Sequence, residues 1–302
     1  MLNLTGSRRH ICFAGFVAAS ILTYWKTLSA LTAYSLREES SSHILLIPAV
    51  SLYLLYSERR RIFATARTDA IPGVLLILAG VVSHSLAMGL TREVWALPAA
   101  TLSVVLIWIG AFTIFYGARV LRAAAFPLGF LLLTVPIPEN VLARMIYFLE
   151  SGSTSLAYFL FRVLGVPVLR DGFLLTVPGV TIEVAKECSG IRSSMALLIT
   201  CLIAAHVFLR TPWKRVLFVL LALPLALIKN GIRIVTLTLL SVYVDPSFLT
   251  GNLHHKGGFV FFLLALAILA PVLLLLEKSE RVQGPSLLVV PAKTEGVVPL
   301  DR

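Results

Sequence analysis

Long apolar runs recur along the whole chain and are its dominant pattern. Each is close to the roughly 20 residues that a helix needs to cross a hydrocarbon core of ~30 Å, so we predict about eight transmembrane helices. The runs cover residues 11–34, 43–57, 71–90, 94–117, 120–137, 189–209, 213–243 and 257–276. The first run lacks a small-residue cleavage site, and we expect it to remain as an uncleaved span.

Residues 140–165 depart from this pattern because charged residues interrupt the apolar positions. As a full span the segment would bury Arg144, Glu150 and Arg162, at a cost of about 3 kcal/mol each. We predict an interfacial or re-entrant helix on the outer side of the membrane instead. The alternative is a ninth span, which would move every later loop to the opposite side.

A short segment between two of these helices has the pattern of strands. Phe173 to Val177 and Val180 to Val184 are rich in residues that favour strands, and Pro178-Gly179 between them indicates a turn. We expect a small extracytoplasmic β-hairpin that leads directly into the helix predicted at 189–209. The predicted fold class is therefore an all-α polytopic membrane protein with about eight transmembrane helices, this hairpin and the interfacial helix.

The composition agrees with one membrane domain. Of the 302 residues 58% are hydrophobic and 14% are charged, whereas a soluble domain carries about a quarter charged residues. The mean hydropathy of +0.92 points the same way. We predict a transmembrane domain over residues 1–278 and a disordered cytoplasmic tail over residues 279–302.

The net charge of +11 comes from Lys and Arg that gather in alternate loops. In a soluble protein this charge would suggest nucleic acid, but basic loops are also the topology signal of membrane proteins, so we expect a lipid bilayer and no nucleic acid as partner. The loops that we predict to be cytoplasmic hold Arg8 and Arg9, then Arg59, Arg60, Arg61 and Arg67, then Arg119 and Arg122, then Arg210, Lys214 and Arg215, and finally Lys278 and Arg281. Both termini are then inside.

The chain has three cysteines, and this odd count without paired spacing argues against a disulfide framework or a zinc site. Cys12 and Cys201 lie in apolar runs, and we predict that both are small buried hydrophobic residues. Cys188 differs because it comes directly after the hairpin, at the predicted first turn of a helix. The unpaired N–H groups and partial positive charge of a helix N-terminus stabilise a thiolate. The alternative is an ordinary helix cap that happens to contain a cysteine.

Arg233 and the pair His254 and His255 are predicted at the same outer face as Cys188. Twenty residues of helix from Trp213 rise ~30 Å, which brings Arg233 to the outer boundary. An arginine in an apolar run is a functional candidate, with snorkelling to the headgroups as the alternative. Cysteine and histidine form a nucleophile and acid/base pair, so the three positions predict a catalytic cluster. Two histidines in other spans are predicted to be packed or hydrogen-bonded, and these are His84 and His206.

Five segments of the chain carry a family resemblance. The most specific is Glu187-Cys188-Ser189-Gly190-Ile191-Arg192-Ser193. The others are Ser42-His43 with Pro48 and Tyr53-Leu54-Leu55-Tyr56, Phe126-Pro127 with Val135-Pro136-Ile137-Pro138, Asn230-Gly231-Ile232-Arg233, and His254 with Gly258 and Phe259. Together they resemble the motifs of the exosortase/archaeosortase family of membrane cysteine transpeptidases. The spacing to Gly258 favours His254 over His255 as the family's histidine.

The resemblance implies a bacterial inner-membrane enzyme with its active site on the periplasmic face. Its substrates would be membrane-anchored proteins with a C-terminal sorting tail of the PEP-CTERM kind, which it would cleave and pass to an acceptor, often beside exopolysaccharide export machinery. In the implied mechanism Cys188 is the nucleophile, Arg233 stabilises the oxyanion, and His254 is the general acid and base. Supporting residues would be Ser189, Arg192, Asn230 and His255. No metal or organic cofactor is needed.

A non-enzymatic transporter or assembly component of exopolysaccharide export is the alternative function. A transporter is expected to have paired polar residues and broken helices near the bilayer midplane. In this sequence the polar candidates gather at one boundary instead, which favours the enzyme.

Overall fold

The computed structural model describes residues 6–65, 70–89, 93–184, 190–250 and 258–282 of the chain. Its helices are α1 (Gly6–Thr23), α2 (Trp25–Arg37), α3 (Ile47–Ser57), α4 (Arg59–Ile62), α5 (Ala70–Gly89), α6 (Glu93–Tyr116), α7 (Ala118–Ala123), α8 (Ala125–Phe130), α9 (Glu139–Val163), α10 (Ile191–Phe208), α11 (Pro212–Leu220), α12 (Ala222–Tyr243), α13 (Ser247–Thr250) and α14 (Gly258–Val282). Short 3₁₀ helices lie at Glu39–Leu45, Phe63–Thr65 and Leu131–Thr134.

Within these ranges, 6 helical stretches are long and apolar enough to cross a membrane, and the number rises to 8 if each of two bent pairs is one span. The six are Ser40–Ser57, Ile71–Gly89, Val94–Tyr116, Ile191–Phe208, Pro212–Tyr243 and Gly258–Arg281. Many of their large apolar side chains are exposed, as expected where lipid tails replace a protein core. The prediction of an all-α polytopic membrane protein is confirmed.

The first predicted span is broken rather than straight. The axes of α1 and α2 meet at 75° around Tyr24. No proline or glycine lies at this break, but the Tyr24 ring meets the His84 ring of α5 edge-on at 5.2 Å. A tertiary contact therefore accompanies the bend, which local sequence does not predict.

The fifth predicted span, residues 120–137, is also not one helix. The chain there forms α7, α8 and a 3₁₀ turn, and it then bends by 94° into α9. Val135 and Pro138 at the bend have extended ψ angles of 121° and 140°. Pro136 and Pro138 explain this bend, because a proline lacks an N–H and disfavours helical geometry at the residue before it.

Helix α9 packs along α12 through interlocking glycine and leucine positions. A Cβ on Gly152 would lie 2.8 Å from Leu227 Cδ2, and a Cβ on Gly231 would lie 2.8 Å from Leu156 Cδ2. The contacts advance together along both helices, so the two run in the same direction. The span Pro212–Tyr243 has 32 residues and rises ~48 Å, which exceeds the ~30 Å of a bilayer core. Helix α9 runs beside α12 from Leu227 to Val235, and with residues 125–134 it forms a bent pair that is a broken span or a re-entrant loop. The interfacial or re-entrant helix stays a prediction.

The predicted β-hairpin is confirmed, and the structure adds a strand to it. Strands β1 (Leu169–Asp171), β2 (Leu174–Val177) and β3 (Val180–Glu183) form an antiparallel sheet in the order β1-β2-β3. Gly179 turns the hairpin with a φ of 93°, which glycine adopts without strain. Leu175 and Val177 pack against α9 and α12, so the sheet covers the far end of this helix pair.

The predicted burial of two cysteines and the predicted start of the tail can be compared with the structure. Cys201 is buried as expected, but Cys12 is exposed, because its side of α1 faces outward. The predicted boundary at residue 278 lies inside α14, which continues to Val282. Residues 283–302, which contain most of the predicted tail, lie outside the described residues.

Candidate active site

A polar pair is buried in the middle of the apolar helix α12. Lys229 and Asn230 are 3% and 1% exposed, although their neighbours along the helix are mostly apolar. Burying an ammonium or an amide is unfavourable unless hydrogen bonds replace the lost water. Both side chains find such partners, and the partners belong to two other helices.

Lys229 is the start of a hydrogen-bond chain that ends at the beginning of α10. Its Nζ donates to Ser193 Oγ at 2.6 Å, and Ser193 Oγ donates to the Gly190 carbonyl oxygen at 3.0 Å. The Ser194 N–H donates to the same carbonyl at 2.8 Å, which is the first turn of the helix. The side chain of Lys229 thus supports the backbone segment that opens α10.

Gly190 has no room for a side chain and adopts a conformation that glycine favours. Its φ of 68° is left-handed, and a Cβ at this position would lie 2.9 Å from Asn230 Oδ1 and 3.4 Å from Lys229 Nζ. Glycine makes both the turn and the close approach possible. The chain entering α10 is therefore seated directly on the polar pair of α12.

Asn230 connects the same place to α9. Its Nδ2 donates to Ser153 Oγ at 2.9 Å, and Ser153 is completely buried. The neighbouring close contact of Gly231 with Leu156 brings the backbones of α9 and α12 near enough for this bond. Gly190, Asn230 and Ser153 thereby join three helices at one point.

Arg233 follows Lys229 by four residues, so both side chains share one face of α12. Arg233 is partly buried, while Arg192, on the first turn of α10, is exposed. Of the predicted site residues, the structure therefore brings Asn230 against Gly190 and locates Arg233 one turn beyond it. Cys188, Ser189, His254 and His255 lie outside the described residues, and their roles stay predictions.

The polar junction lies far along its span from the basic end. From Pro212 to Lys229 the helix rises ~25 Å. At the starting end, Glu280 accepts backbone N–H bonds from Arg210 and Thr211, both at 2.8 Å, and Lys214 Nζ donates to Ser279 Oγ at 2.8 Å. The junction is thus nearly one bilayer thickness from the loop that the charge pattern predicts to be cytoplasmic.

Sequence reasoning missed three residues of this junction: Lys229, Ser193 and Ser153. Lys229 carried a usable signal, because a lysine within an apolar span is costly and is a functional candidate by default. The two serines carried none, since serine is common in transmembrane helices and gives no indication of its partner.

A second polar cluster lies at the opposite end of α10. His206 Nε2 and Glu58 Oε1 are 2.6 Å apart, and the His206 ring stacks on Phe126 at 3.8 Å with an interplanar angle of 4°. Glu58 also pairs with Arg61. This agrees with the prediction that His206 is packed and hydrogen-bonded, and it ties α8 and α10 to the junction of α3 and α4.

Among the residues that the structure describes, no three His, Cys, Asp or Glu side chains lie close enough together to hold a metal ion. The fold and the junction define a multi-pass helical membrane protein with a buried polar site between three helices. The model of the transmembrane exosortase family matches residues 13–271, and the chain belongs to that family. No curated protein and no solved structure shows significant similarity to it.

Proposed function

We propose that this exosortase is a cysteine transpeptidase of the bacterial inner membrane. It would cut the C-terminal sorting tail of exported, membrane-anchored proteins at the periplasmic face and transfer them to an acceptor. The observation that carries the proposal is the close packing of Gly190 against Lys229 and Asn230. Gly190 belongs to the segment that resembles the family's nucleophile motif, and Asn230 belongs to the one that resembles its arginine motif.

The proposed reaction is acyl transfer through a thioester. The Cys188 thiolate attacks the scissile carbonyl, and Arg233 stabilises the oxyanion that develops. When the C–N bond breaks, His254 gives a proton to the leaving amine. An acceptor amine, hydroxyl or water then attacks the thioester and gives its proton to His254, and the C–S bond breaks to regenerate the thiolate.

The depth of the junction supports a site at the outer face. Pro212 lies beside the basic loop at one end of the span, and Lys229 lies ~25 Å further along it. A substrate anchored by its own transmembrane helix would carry its cleavage motif to a similar depth. The shared anchoring converts a bimolecular encounter into one with a high effective concentration.

The experiment is the processing of a reporter in cells that contain the full-length protein. The reporter ends in a Pro-Glu-Pro-like motif, a transmembrane helix and a basic cluster. Cys188→Ala and Cys188→Ser are expected to leave the reporter full-length, whereas Cys12→Ser, the exposed cysteine of α1, is the matched control and should leave processing unchanged. Normal shortening by the Cys188 variants would overturn the assignment.

A thiol-reactive probe separates the enzyme from a transporter or assembly component. Fast labelling of Cys188 from the outer side, with a rate that rises with pH, is expected of an activated nucleophile. Inert behaviour, or access from the cytoplasm alone, would contradict the proposal. The same proposal includes an association with exopolysaccharide export machinery. It predicts that the protein processes the reporter while it is located beside that machinery.

A further inference from the structure

Lys229 is a buried cation for which the proposed reaction has no task. Its side chain is 3% exposed, and it lies inside an apolar span where a leucine would pack at lower cost. The hydrogen bond from Nζ to Ser193 Oγ is 2.6 Å long and bridges α12 and α10. Because a buried ammonium is unfavourable, its position beside the nucleophile motif calls for a functional reason.

A second buried lysine in the same span offers a direct comparison. Lys214 is also 3% exposed, and its Nζ also donates to a serine hydroxyl, that of Ser279, at 2.8 Å. The Ser279 hydroxyl in turn donates a hydrogen bond to the Leu276 carbonyl of its own helix. Lys214 therefore ties α11 to α14, whereas the chain from Lys229 ends at the Gly190 carbonyl.

The sequence brings the proposed nucleophile close to this charge. Cys188 precedes Gly190 by two residues, and two residues of extended chain span at most ~7 Å. Lys229 Nζ lies 3.4 Å from the Cβ position of Gly190, so chain length alone keeps the Cys188 sulfur within ~15 Å of this charge. At an effective dielectric constant of about 20, a positive charge at that distance favours the thiolate by about 1 pH unit. The hydrogen bonds of Lys229 and Ser193 also hold the Gly190 backbone, which follows the Cys188 position by two residues in the sequence.

We propose that Lys229 is a positioning residue of the transpeptidase site: through Ser193 it holds the left-handed Gly190 turn, and its ammonium favours the Cys188 thiolate. This inference rests on the proposed function of Cys188. The two effects come from different groups, so they can be tested separately. The Lys229 ammonium supplies the charge that favours the thiolate, and the Ser193 hydroxyl supplies the hydrogen bond to the Gly190 turn.

Other charged groups lie near the same turn. Arg233 shares the Lys229 face of α12, Arg192 opens α10, and Glu150 precedes Ser153 by one turn on α9. In the sequence, Lys186 and Glu187 precede this turn, and the proposed site also includes His254 and His255. None of these groups is altered in the Lys229 and Ser193 variants, so a difference between variants reports on Lys229 and Ser193.

The first measurement is the pH midpoint for alkylation of Cys188 by iodoacetamide. The full-length protein carries Cys12→Ser and Cys201→Ala, so that Cys188 is its single thiol, and it is reconstituted in lipid nanodiscs. Lys229→Met is expected to raise the midpoint by about 1 pH unit, because a positive charge is lost. Lys229→Arg should restore it, and Lys214→Met, the matched control, should not move it.

A merely structural role for Lys229 predicts a different result. Lys229→Met would then lower the reporter cleavage rate equally at every pH and leave the alkylation midpoint unchanged, and this outcome would overturn the inference. The expected defect is instead roughly tenfold at pH 7 and largely recovered at pH 9, since raising the pH restores the thiolate.

Ser193→Ala tests whether the Ser193 hydroxyl holds the Gly190 turn, and it provides a test even if Lys229→Met does not fold. Removing this hydroxyl retains the charge, so kcat for reporter cleavage should fall while KM and the alkylation midpoint change little. An unchanged kcat would show that the hydrogen-bond chain does not position the turn. If reporter cleavage does not depend on Cys188, the proposed function is wrong. If cleavage depends on Cys188 but is unchanged in the Lys229 and Ser193 variants, the proposed function stands and the positioning role of Lys229 is wrong.

Discussion

Asn230 and Ser153 share a buried hydrogen bond of 2.9 Å although 77 positions separate them in the chain. The amide belongs to the segment that resembles the arginine motif, and the hydroxyl belongs to helix α9. Together with the close contacts of Gly152 and Gly231, this bond joins α9 to the helix that carries the site. Helix α9 thereby becomes part of the support of the proposed active site.

Ser153→Ala is expected to destabilise the protein by about 1–3 kcal/mol, because the Asn230 amide loses a buried hydrogen bond. The free energy of unfolding is measured by SDS titration in mixed micelles. Ser85→Ala is the control, since Ser85 is exposed on α5 and its hydroxyl bonds the Val81 carbonyl of its own helix. Equal losses for the two variants would mean that the Ser153 bond contributes nothing beyond an ordinary helical serine.

Gly190→Ala is expected to reduce both stability and reporter cleavage. A left-handed alanine costs roughly 1–2 kcal/mol by itself, and its Cβ would also lie 2.9 Å from Asn230 Oδ1. Gly165→Ala is a matched control, because Gly165 has a φ of 74° but no atom within 4 Å of an added Cβ. Both variants are compared in the SDS titration and the reporter assay.

The strain in the two glycine variants is similar, so their difference isolates the contact with Asn230. Gly190→Ala should lose more stability than Gly165→Ala, and Gly165→Ala should retain cleavage. If both variants lose the same amount and cleave equally well, the seat of Gly190 on α12 is not important for the site.

Arg233→Gln is expected to lower kcat for reporter cleavage by about 10²–10³-fold, the usual effect of losing one oxyanion donor. KM should change less, because the lost interaction belongs mainly to the transition state. Arg162→Gln, an exposed arginine on α9, serves as the control. A rise in KM at constant kcat would instead indicate that Arg233 binds the substrate.

Glu58 and His206 are expected to be energetically coupled. A double-mutant cycle with Glu58→Ala and His206→Ala should give a coupling energy of about 1–3 kcal/mol, because the His206 side chain is only 8% exposed. The same cycle on Glu277 and Arg281, where the arginine is 77% exposed, should give at most ~0.5 kcal/mol. A coupling below that of the exposed pair would contradict a structural role for the His206 cluster.

The amino-acid sequence by itself determined the class of fold and most of its spans. Long apolar runs predict membrane helices because each residue contributes separately to the transfer from water to lipid. The strand pattern around Pro178-Gly179 predicted the hairpin for a similar local reason. The segments around Cys188 and Arg233 identified the family through their residue types, without any knowledge of what they contact.

Only the tertiary structure decided which polar side chains meet. Lys229 and Ser193 are 36 positions apart, and Glu58 and His206 are 148 apart, so no local pattern links them. The same holds for the bend at Tyr24, and for α9, whose direction along α12 follows from Gly152 and Gly231. Hydrophobic runs report where a helix can lie in a bilayer, whereas a buried hydroxyl or ammonium is satisfied by whichever helix packs against it.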